Sequence, residues 1–207
     1  MKKKVAIIDY GMGNLRSVEV SLNYLGIKNQ LINNPNNLKS FTHIILPGVG
    51  SFNTAIKNLK KCNLYKFLIK LSKNKKIKIL GICLGMQLLF SSSTEDGFCE
   101  GLNIIDGKVE KFSKKEVGRL KIPHVGFNQI LIKKKIDFFE NINNKSDFYF
   151  DHSYRVKKYN SKINSVISNY GTDFLSAFSH DNIYGTQFHP EKSQSNGLKL
   201  IKNFIDN

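Results

Sequence analysis

One cysteine stands where a strand is predicted to turn sharply into a helix. Cys83 follows the mostly apolar residues 77–80 and is flanked by Gly81 and Gly85 in the sequence GICLGMQ. Glycines on both sides of such a turn let neighbouring elements pass closely, and the apex residue exposes its side chain in a strained conformation. The backbone N–H of Leu84 would point to where an oxyanion forms during acyl transfer. The pattern therefore predicts a nucleophile, although an isolated cysteine is more often a small buried apolar residue.

A candidate base and its orienting group lie together far downstream. His189 and Glu191 follow the strand-like residues 183–188 in the sequence QFHPE and are separated by Pro190. Because Pro190 favours extended backbone in the residue before it, the two side chains fall on the same side of the chain. A nucleophilic cysteine needs a base, and the base needs a third group that fixes its tautomer. We therefore predict a triad of Cys83, His189 and Glu191.

Further motifs accompany the sequence around Cys83. They are DYGMGN at residues 9–14, LPGVG at 46–50, KIPHVG at 121–126, HSY at 152–154 and HPEKS at 189–193. Together they resemble class I (triad) glutamine amidotransferases, and in finer detail the glutaminase subunits of imidazole glycerol phosphate synthase. The motifs run from the first predicted strand to the last predicted helix. The resemblance thus implies one glutamine amidotransferase domain over residues 1–207.

The resemblance also implies an oxyanion hole and a glutamine site. Val49 and Gly50, at the carboxyl end of a predicted strand, would supply a second oxyanion donor beside Leu84. The residues implied to contact the substrate glutamine are Gly50, Gln87, Ser153 and Tyr154. Gln87 lies one helical turn beyond Cys83, a spacing that by itself places it on the side of the nucleophile.

A reaction and a partner follow from the same resemblance. Glutamine would be hydrolysed to glutamate and ammonia through a Cys83 thioester. The ammonia would pass to a cyclase subunit, a (β/α)-barrel protein in a heterodimer, which makes imidazole glycerol phosphate and aminoimidazole carboxamide ribotide in histidine biosynthesis. Asn14 and Lys192 are implied to face that subunit. Glutaminase activity is implied to be weak until the partner binds, with the oxyanion loop as the switch.

A paralogous branch of the family stays open. Its members supply ammonia for amidation or amidination of a surface-glycan sugar and would carry the same triad and loops. Phe127 stands where the family usually has tryptophan, and Asp151 where an apolar residue is commoner. Neither departure touches the triad, so neither decides between the two pathways.

Composition predicts one ordinary globular domain in the cytoplasm. The chain has 207 residues, of which 41% are apolar and 23% charged. No stretch approaches the roughly 20 apolar residues that span a bilayer, and residues 1–4 lead straight into a predicted strand without a signal peptide. The three cysteines form no paired framework, which predicts a reducing compartment and no structural metal. No cofactor is predicted.

Four other functional classes have some support in the sequence. The net charge of +16 suggests nucleic-acid binding, but the lysines are scattered, there are three arginines and no recognition motif occurs. The glycine pair Gly11 and Gly13 suggests a dinucleotide fold, but Arg16 replaces the third glycine. A cysteine hydrolase of the α/β-hydrolase type would place its acid before its histidine. A catalytically silent scaffold is disfavoured by the intact triad, and thiol reactivity at Cys83 would distinguish it.

The order of predicted elements favours an α/β, single-domain, three-layer fold with a central mostly parallel sheet flanked by helices. Helices are predicted at residues 14–25, 51–71, 84–90 and 197–205, with Ser51 as a possible cap. Strands are predicted at residues 5–8, 28–32, 43–46, 77–80, 148–150, 165–168, 174–178 and 183–188. Residues 91–100 are predicted to form a mobile polar loop. His152 is a rival base without an orienting acid, whereas His43, His124 and His180 are predicted to be structural or exposed.

Overall fold

The fold is described by a computed structural model that covers residues 3–38, 40–160 and 162–207. The helices are α1 (Leu15–Tyr24), α2 (Phe52–Lys61), α3 (Leu64–Ser72), α4 (Leu84–Leu88), α5 (Lys114–Val117) and α6 (Gln194–Asp206). The strands are β1 (Val5–Ile8), β2 (Asn29–Ile32), β3 (His43–Leu46), β4 (Lys78–Ile82), β5 (Phe90–Ser93), β6 (Cys99–Glu100), β7 (Ile105–Lys111), β8 (His124–Gln129), β9 (Asp147–His152), β10 (Tyr154–Tyr159), β11 (Asn164–Asn169), β12 (Asp173–His180) and β13 (Ile183–Thr186). None of the described helices is long and apolar enough to cross a membrane.

A seven-stranded sheet forms the centre, in the order β11-β12-β13-β4-β3-β1-β2. The five strands from β13 to β2 pair in parallel, and β11 and β12 extend the sheet in antiparallel fashion. Alternate residues of the parallel strands belong to two separate buried clusters, one with α2 and α3 and the other with α1 and α6. Both faces are therefore covered, which explains the apolar runs over β1 and over residues 44–46 of β3. The predicted three-layer, mostly parallel fold is confirmed.

The order of the strands explains where the site forms. β3, β4 and β13 are neighbours and run in the same direction. Their carboxyl ends therefore meet at one edge of the sheet, where open α/β sheets gather their sites. The segments that follow these three strands are residues 47–50, Cys83 and residues 187–189.

Two small sheets complete the pocket wall beside that edge. One has the order β10-β7-β5-β6, and the other is the β8–β9 pair, in which His124 lies opposite His152. The short link between β9 and β10 carries the HSY motif, so Ser153 lies between two strands of different sheets.

The helix predicted at residues 51–71 is two helices. α2 ends before Cys62 and α3 begins at Leu64, because Asn63 between them adopts the left-handed conformation with φ 59°. Asparagine tolerates this conformation better than most residues, so the break lies at a residue that permits it. Ser51 occupies the cap position of α2, but its hydroxyl does not bond a backbone N–H of the helix. The N–H of Phe52 donates instead to Glu95 Oε2 at 2.8 Å.

The prediction for residues 84–100 was wrong in two respects. The helix ends at Leu88, and Phe90 belongs to strand β5, where it pairs with Ile105 of β7. The segment predicted as a mobile loop contains most of β5 and all of β6, joined as an antiparallel pair. Serine runs suggest a loop, but here burial of Phe90 and long-range pairing override that local preference.

Candidate active site

Cys83 lies at a sharp turn between β4 and α4. Its backbone has φ 53° and ψ −109°, which is a strained conformation for a residue with a side chain. A Cβ on Gly85 would stand 1.7 Å from the Leu46 carbonyl oxygen, and one on Gly81 would stand 2.7 Å from the backbone of Gly85. Both glycines are therefore required by close approach of the backbone, as the sequence predicted.

His189 and Glu191 form a buried pair. The Nδ1 atom of His189 lies 2.8 Å from Glu191 Oε1, and the side chains are 2% and 1% exposed. The carboxylate accepts from Nδ1–H, which leaves Nε2 available to the nucleophile. The backbone of His189 is tied on both sides: its N–H donates to Tyr149 O at 2.8 Å, and its carbonyl accepts from the Ser193 hydroxyl at 2.6 Å.

The charge on the His189 imidazole is favoured despite its burial. Burial lowers the pKa of His189, but the adjacent Cys83 sulfur and the Glu191 carboxylate raise it, and the net result is a pKa of about 10. An imidazolium next to a thiolate is the arrangement that a cysteine nucleophile and its base require.

A cavity of about 360 Å³ contains Cys83 and His189. The other residues that line it are Val49, Gly50, Leu84, Gln87, Glu95, Pro123, Asp151, His152, Ser153 and Tyr154. The cavity thus gathers, besides the nucleophile and the base, every residue predicted for the oxyanion hole and the substrate. Among the described residues, no group of three or more His, Cys, Asp or Glu is arranged to hold a metal ion.

Three residues that line this cavity have free backbone donors. The N–H groups of Val49, Gly50 and Leu84 make no hydrogen bond to another residue in the described part of the chain. The loop that carries the first two is held by the buried hydroxyl of Tyr10, which donates to Pro47 O at 2.9 Å. Gly50 has φ +100°, a conformation that favours glycine.

One end of the Gln87 amide is already hydrogen-bonded within the protein. Its Nε2 donates to the Tyr154 carbonyl at 2.9 Å and to Gln187 Oε1 at 3.0 Å. Its Oε1 accepts no hydrogen bond from another described residue, so only the acceptor end of the amide is available to a ligand.

His152, the rival base, is held neutral. Burial lowers the pKa of His152 to about 3, and burial likewise lowers the pKa of His124 to about 4. Nδ1 of His152 lies 2.8 Å from the Tyr154 carbonyl, and Nε2 lies 3.1 Å from Nδ1 of His124. Because the carbonyl can only accept, His152 carries its proton on Nδ1 and accepts from His124 at Nε2.

One carboxylate in the cavity was missed by the sequence reasoning. Glu95 lines the cavity, and its Oε2 accepts from the N–H of Phe52 at the start of α2. Burial raises the pKa of Glu95. No local motif marked this residue, because it lies in the segment predicted as a polar loop. The need for such a residue could have been predicted, because a substrate that carries an ammonium group requires a carboxylate somewhere in the site.

The two residues predicted at a partner interface lie on neighbouring elements. Asn14 precedes α1 and accepts from the Ser17 hydroxyl at 2.9 Å, and α1 contacts the 3₁₀ turn Pro190–Lys192. The Lys192 ammonium lies 5.4 Å from the centre of the Tyr149 ring, and Phe127 packs edge-on against the same ring. Phe127 is 51% exposed, so an aromatic and basic surface borders the site.

Comparison with known proteins places this fold and site in a family. The sequence model of "Glutamine amidotransferase class-I" matches residues 6–207. The structure of PurLQS from Thermotoga maritima superposes with a TM-score of 0.74 at 18% identity, covering 100% of this chain and 99% of that one, a likeness of fold alone. The chain belongs to the class I glutamine amidotransferases.

Curated relatives specify the branch. The imidazole glycerol phosphate synthase subunit HisH 1 of Campylobacter jejuni (strain RM1221) is 46% identical over 201 residues, which cover 97% of this chain and 98% of the relative. The subunit HisH of Caldanaerobacter subterraneus subsp. tengcongensis is 44% identical over 200 residues, covering 97% and 96%. Within the family, this chain groups with these HisH subunits, as the motifs predicted.

Proposed function

We propose that this chain is the glutaminase subunit of an imidazole glycerol phosphate synthase and that Cys83, His189 and Glu191 carry the reaction. The observation that supports this most strongly is the 2.8 Å contact of Glu191 with His189, which lines the same cavity as the strained Cys83. Each group has the geometry that its role demands: an apex nucleophile, a base, and a carboxylate that fixes the tautomer of the base.

The reaction proceeds through a thioester. His189 holds the proton taken from the Cys83 thiol, and the Cys83 thiolate attacks the side-chain amide carbon of glutamine. The unpaired N–H groups of Leu84 and the Val49–Gly50 loop stabilise the oxyanion. His189 returns the proton to the departing nitrogen, which leaves as ammonia. Water then gives a proton to His189 and attacks the thioester, so glutamate leaves and the thiolate is regenerated.

The α-amino and α-carboxylate groups of glutamine require partners at the other end of the cavity. Glu95 is suited to the α-ammonium group, because one of its oxygens is fixed by the N–H of Phe52 and it faces the cavity. Oxygen Oε1 of Gln87 is a second acceptor. Ser153 and Tyr154 also line the cavity, and the resemblance implies that they contact the substrate.

The ammonia requires a second subunit. In open solvent it would be protonated and lost as a nucleophile, so a synthase must cover the cavity. The relatives are named as subunits of imidazole glycerol phosphate synthase, which implies a cyclase subunit as the partner. The surface around Phe127, Tyr149 and Lys192, together with Asn14, is the proposed docking face. Its exposed aromatic and cationic side chains match what interfaces favour.

The test is glutamate release from glutamine by the purified chain, alone and with a histidine-pathway cyclase subunit and its ribonucleotide substrate. We expect strong stimulation by the partner and its loss in Cys83→Ala. Cys62→Ala is the matched control, because Cys62 is a free cysteine outside the cavity and its loss should leave the rate within about twofold.

Two other outcomes would redirect the proposal. Glutamine cleavage without stimulation by that partner would favour the sugar-modifying branch while retaining the triad. Absence of glutamate release with every partner would indicate that the chain is a catalytically silent scaffold.

A separate variant tests the proposed contact between Glu95 and the substrate. Glu95→Gln should raise KM for glutamine about tenfold and leave kcat nearly unchanged, because a contact made equally in the ground state and the transition state is lost.

A further inference from the structure

Gln187 is a fully buried amide that has no part in the proton transfers of the proposed reaction. It directly follows β13 and precedes His189 by two positions, and its side chain is 0% exposed. Nitrogen Nε2 lies 3.7 Å from Cys83 Sγ, and Oε1 lies 3.0 Å from Gln87 Nε2. Its N–H is bonded to the Ser176 carbonyl, so the backbone is held on the neighbouring strand β12.

The orientation of this amide is dictated by its neighbours. The Tyr154 carbonyl can only accept, so the Gln87 atom 2.9 Å from it is the nitrogen. That nitrogen also faces Gln187, so the Gln187 atom opposite it must be the oxygen. The remaining end of the Gln187 amide, which faces the sulfur, is therefore the NH₂ group. No flip of either amide satisfies both contacts, so the donor is fixed toward Cys83.

We propose that Gln187 is a positioning residue that donates a hydrogen bond to the Cys83 sulfur and favours its thiolate form. The inference rests on Cys83 being the nucleophile of the proposed reaction. A second contact stabilises the protonated form of the sulfur, because Sγ lies 3.8 Å from the Asp151 carbonyl, which accepts a hydrogen bond from a thiol. The thiol thus has an acceptor in Asp151 and the thiolate has a donor in Gln187.

The donor acts at the steps in which the sulfur is charged. It stabilises the thiolate before attack and again when the thiolate leaves the acyl group, but it has no charged partner in the thioester between these steps. Hydrogen bonds to charged groups are stronger than those between neutral groups. Loss of the donor should therefore slow the reaction of Cys83 with any electrophile, and not only with glutamine.

The test measures alkylation of Cys83 by iodoacetamide between pH 5 and 10, followed by mass spectrometry of the Cys83 peptide in a Cys62→Ser, Cys99→Ser background. We expect Gln187→Met to lower the rate at pH 7 about tenfold and to move the pH profile upward by about one pH unit. Gln187→Glu keeps the size and the acceptor for Gln87 but loses the donor, and should shift the profile at least as far.

Ser176→Ala is the matched control, because the Ser176 hydroxyl donates to the Val166 carbonyl in the same buried region without facing the sulfur. It should leave the profile unchanged. Profiles of both folded Gln187 variants that coincide with the parent within about twofold would overturn the inference. Alkylation requires no glutamine turnover, so the two proposals can fail separately. If the cyclase subunit does not stimulate glutamate release but the alkylation rate of Cys83 still depends on Gln187, the proposed function is rejected and the role of Gln187 is retained.

Discussion

Two buried histidines line the same cavity, but one is favoured in its charged form and the other in its neutral form. Burial lowers the pKa of both, yet Cys83 and Glu191 bring the pKa of His189 to about 10, whereas that of His152 falls to about 3. The difference lies in their partners. His189 faces a carboxylate and a sulfur, and His152 faces a carbonyl and a second imidazole. Partners, and not burial, therefore determine which histidine can act as the base.

The largest predicted effect is the difference in kcat between variants of the two histidines. His189→Asn removes the base and should lower kcat for glutamine hydrolysis about 1,000-fold. His152→Asn removes an imidazole from the same cavity and should lower kcat less than about tenfold, because this ring is neutral and faces no acid. Partner-stimulated glutamate release measures both. Equal losses in the two variants would contradict the comparison and make His152 part of the proton transfer.

The next largest predicted effect tests the contribution of the Glu191 carboxylate, which His152 lacks as a partner. Glu191→Gln keeps the shape of the side chain but removes its charge, so kcat should fall about 100-fold or more as the imidazolium loses its partner. The pKa of His189 should fall as well, which the titration of its ring signals by NMR would show. Glu116→Gln is a matched control, since Glu116 pairs with Arg155 outside the cavity and should leave kcat within about twofold. An unchanged His189 titration in Glu191→Gln would refute the assignment of the cause.

The two histidines also predict opposite dependences of stability on pH. The folded-state pKa of His189 is raised, so its stabilising contribution is complete below about pH 6.5 and is lost as pH rises toward 10. The pKa of His152 is lowered, so its contribution is complete above about pH 6.5 and is lost as pH falls toward 3. Denaturant unfolding should show a maximum between these limits.

Replacing His152 tests the acid side of that maximum. In His152→Phe, the free energy of unfolding should depend less on pH between 4.5 and 7, by about 2 kcal/mol over the interval. The variant is expected to be less stable at pH 7, because contacts to His124 and the Tyr154 carbonyl are lost. The change in slope remains measurable despite that loss. The control is His180→Gln, because the His180 side chain is 39% exposed and lies outside the cavity.

Sequence predicted the parts of the site that local spacing encodes. The glycines around Cys83 and the proline between His189 and Glu191 act within a few residues, so their consequences could be derived before the fold was known. Glu95 and Gln187 act through contacts with residues 43 and 104 positions away. Such pairs depend on how the small sheets close against the central sheet, which local pattern does not specify. The strand β5 was missed for the same reason.

The smallest predicted effect concerns the far end of the histidine chain. Asn128 Nδ2 donates to His124 Nε2 at 3.2 Å and to the Asn169 carbonyl at 2.9 Å. Asn128→Asp would place an acceptor where His124 also has an acceptor, while Nδ1 of His124 must still donate to His152. The ring can satisfy both neighbours only as an imidazolium, so the pKa of His124 should rise from about 4. NMR titration of the ring should detect this rise, and Asn128→Ala should not produce it. Because His152 and not His189 is coupled to this ring, kcat should change less than about twofold, and a larger loss would show that the two histidines are not independent.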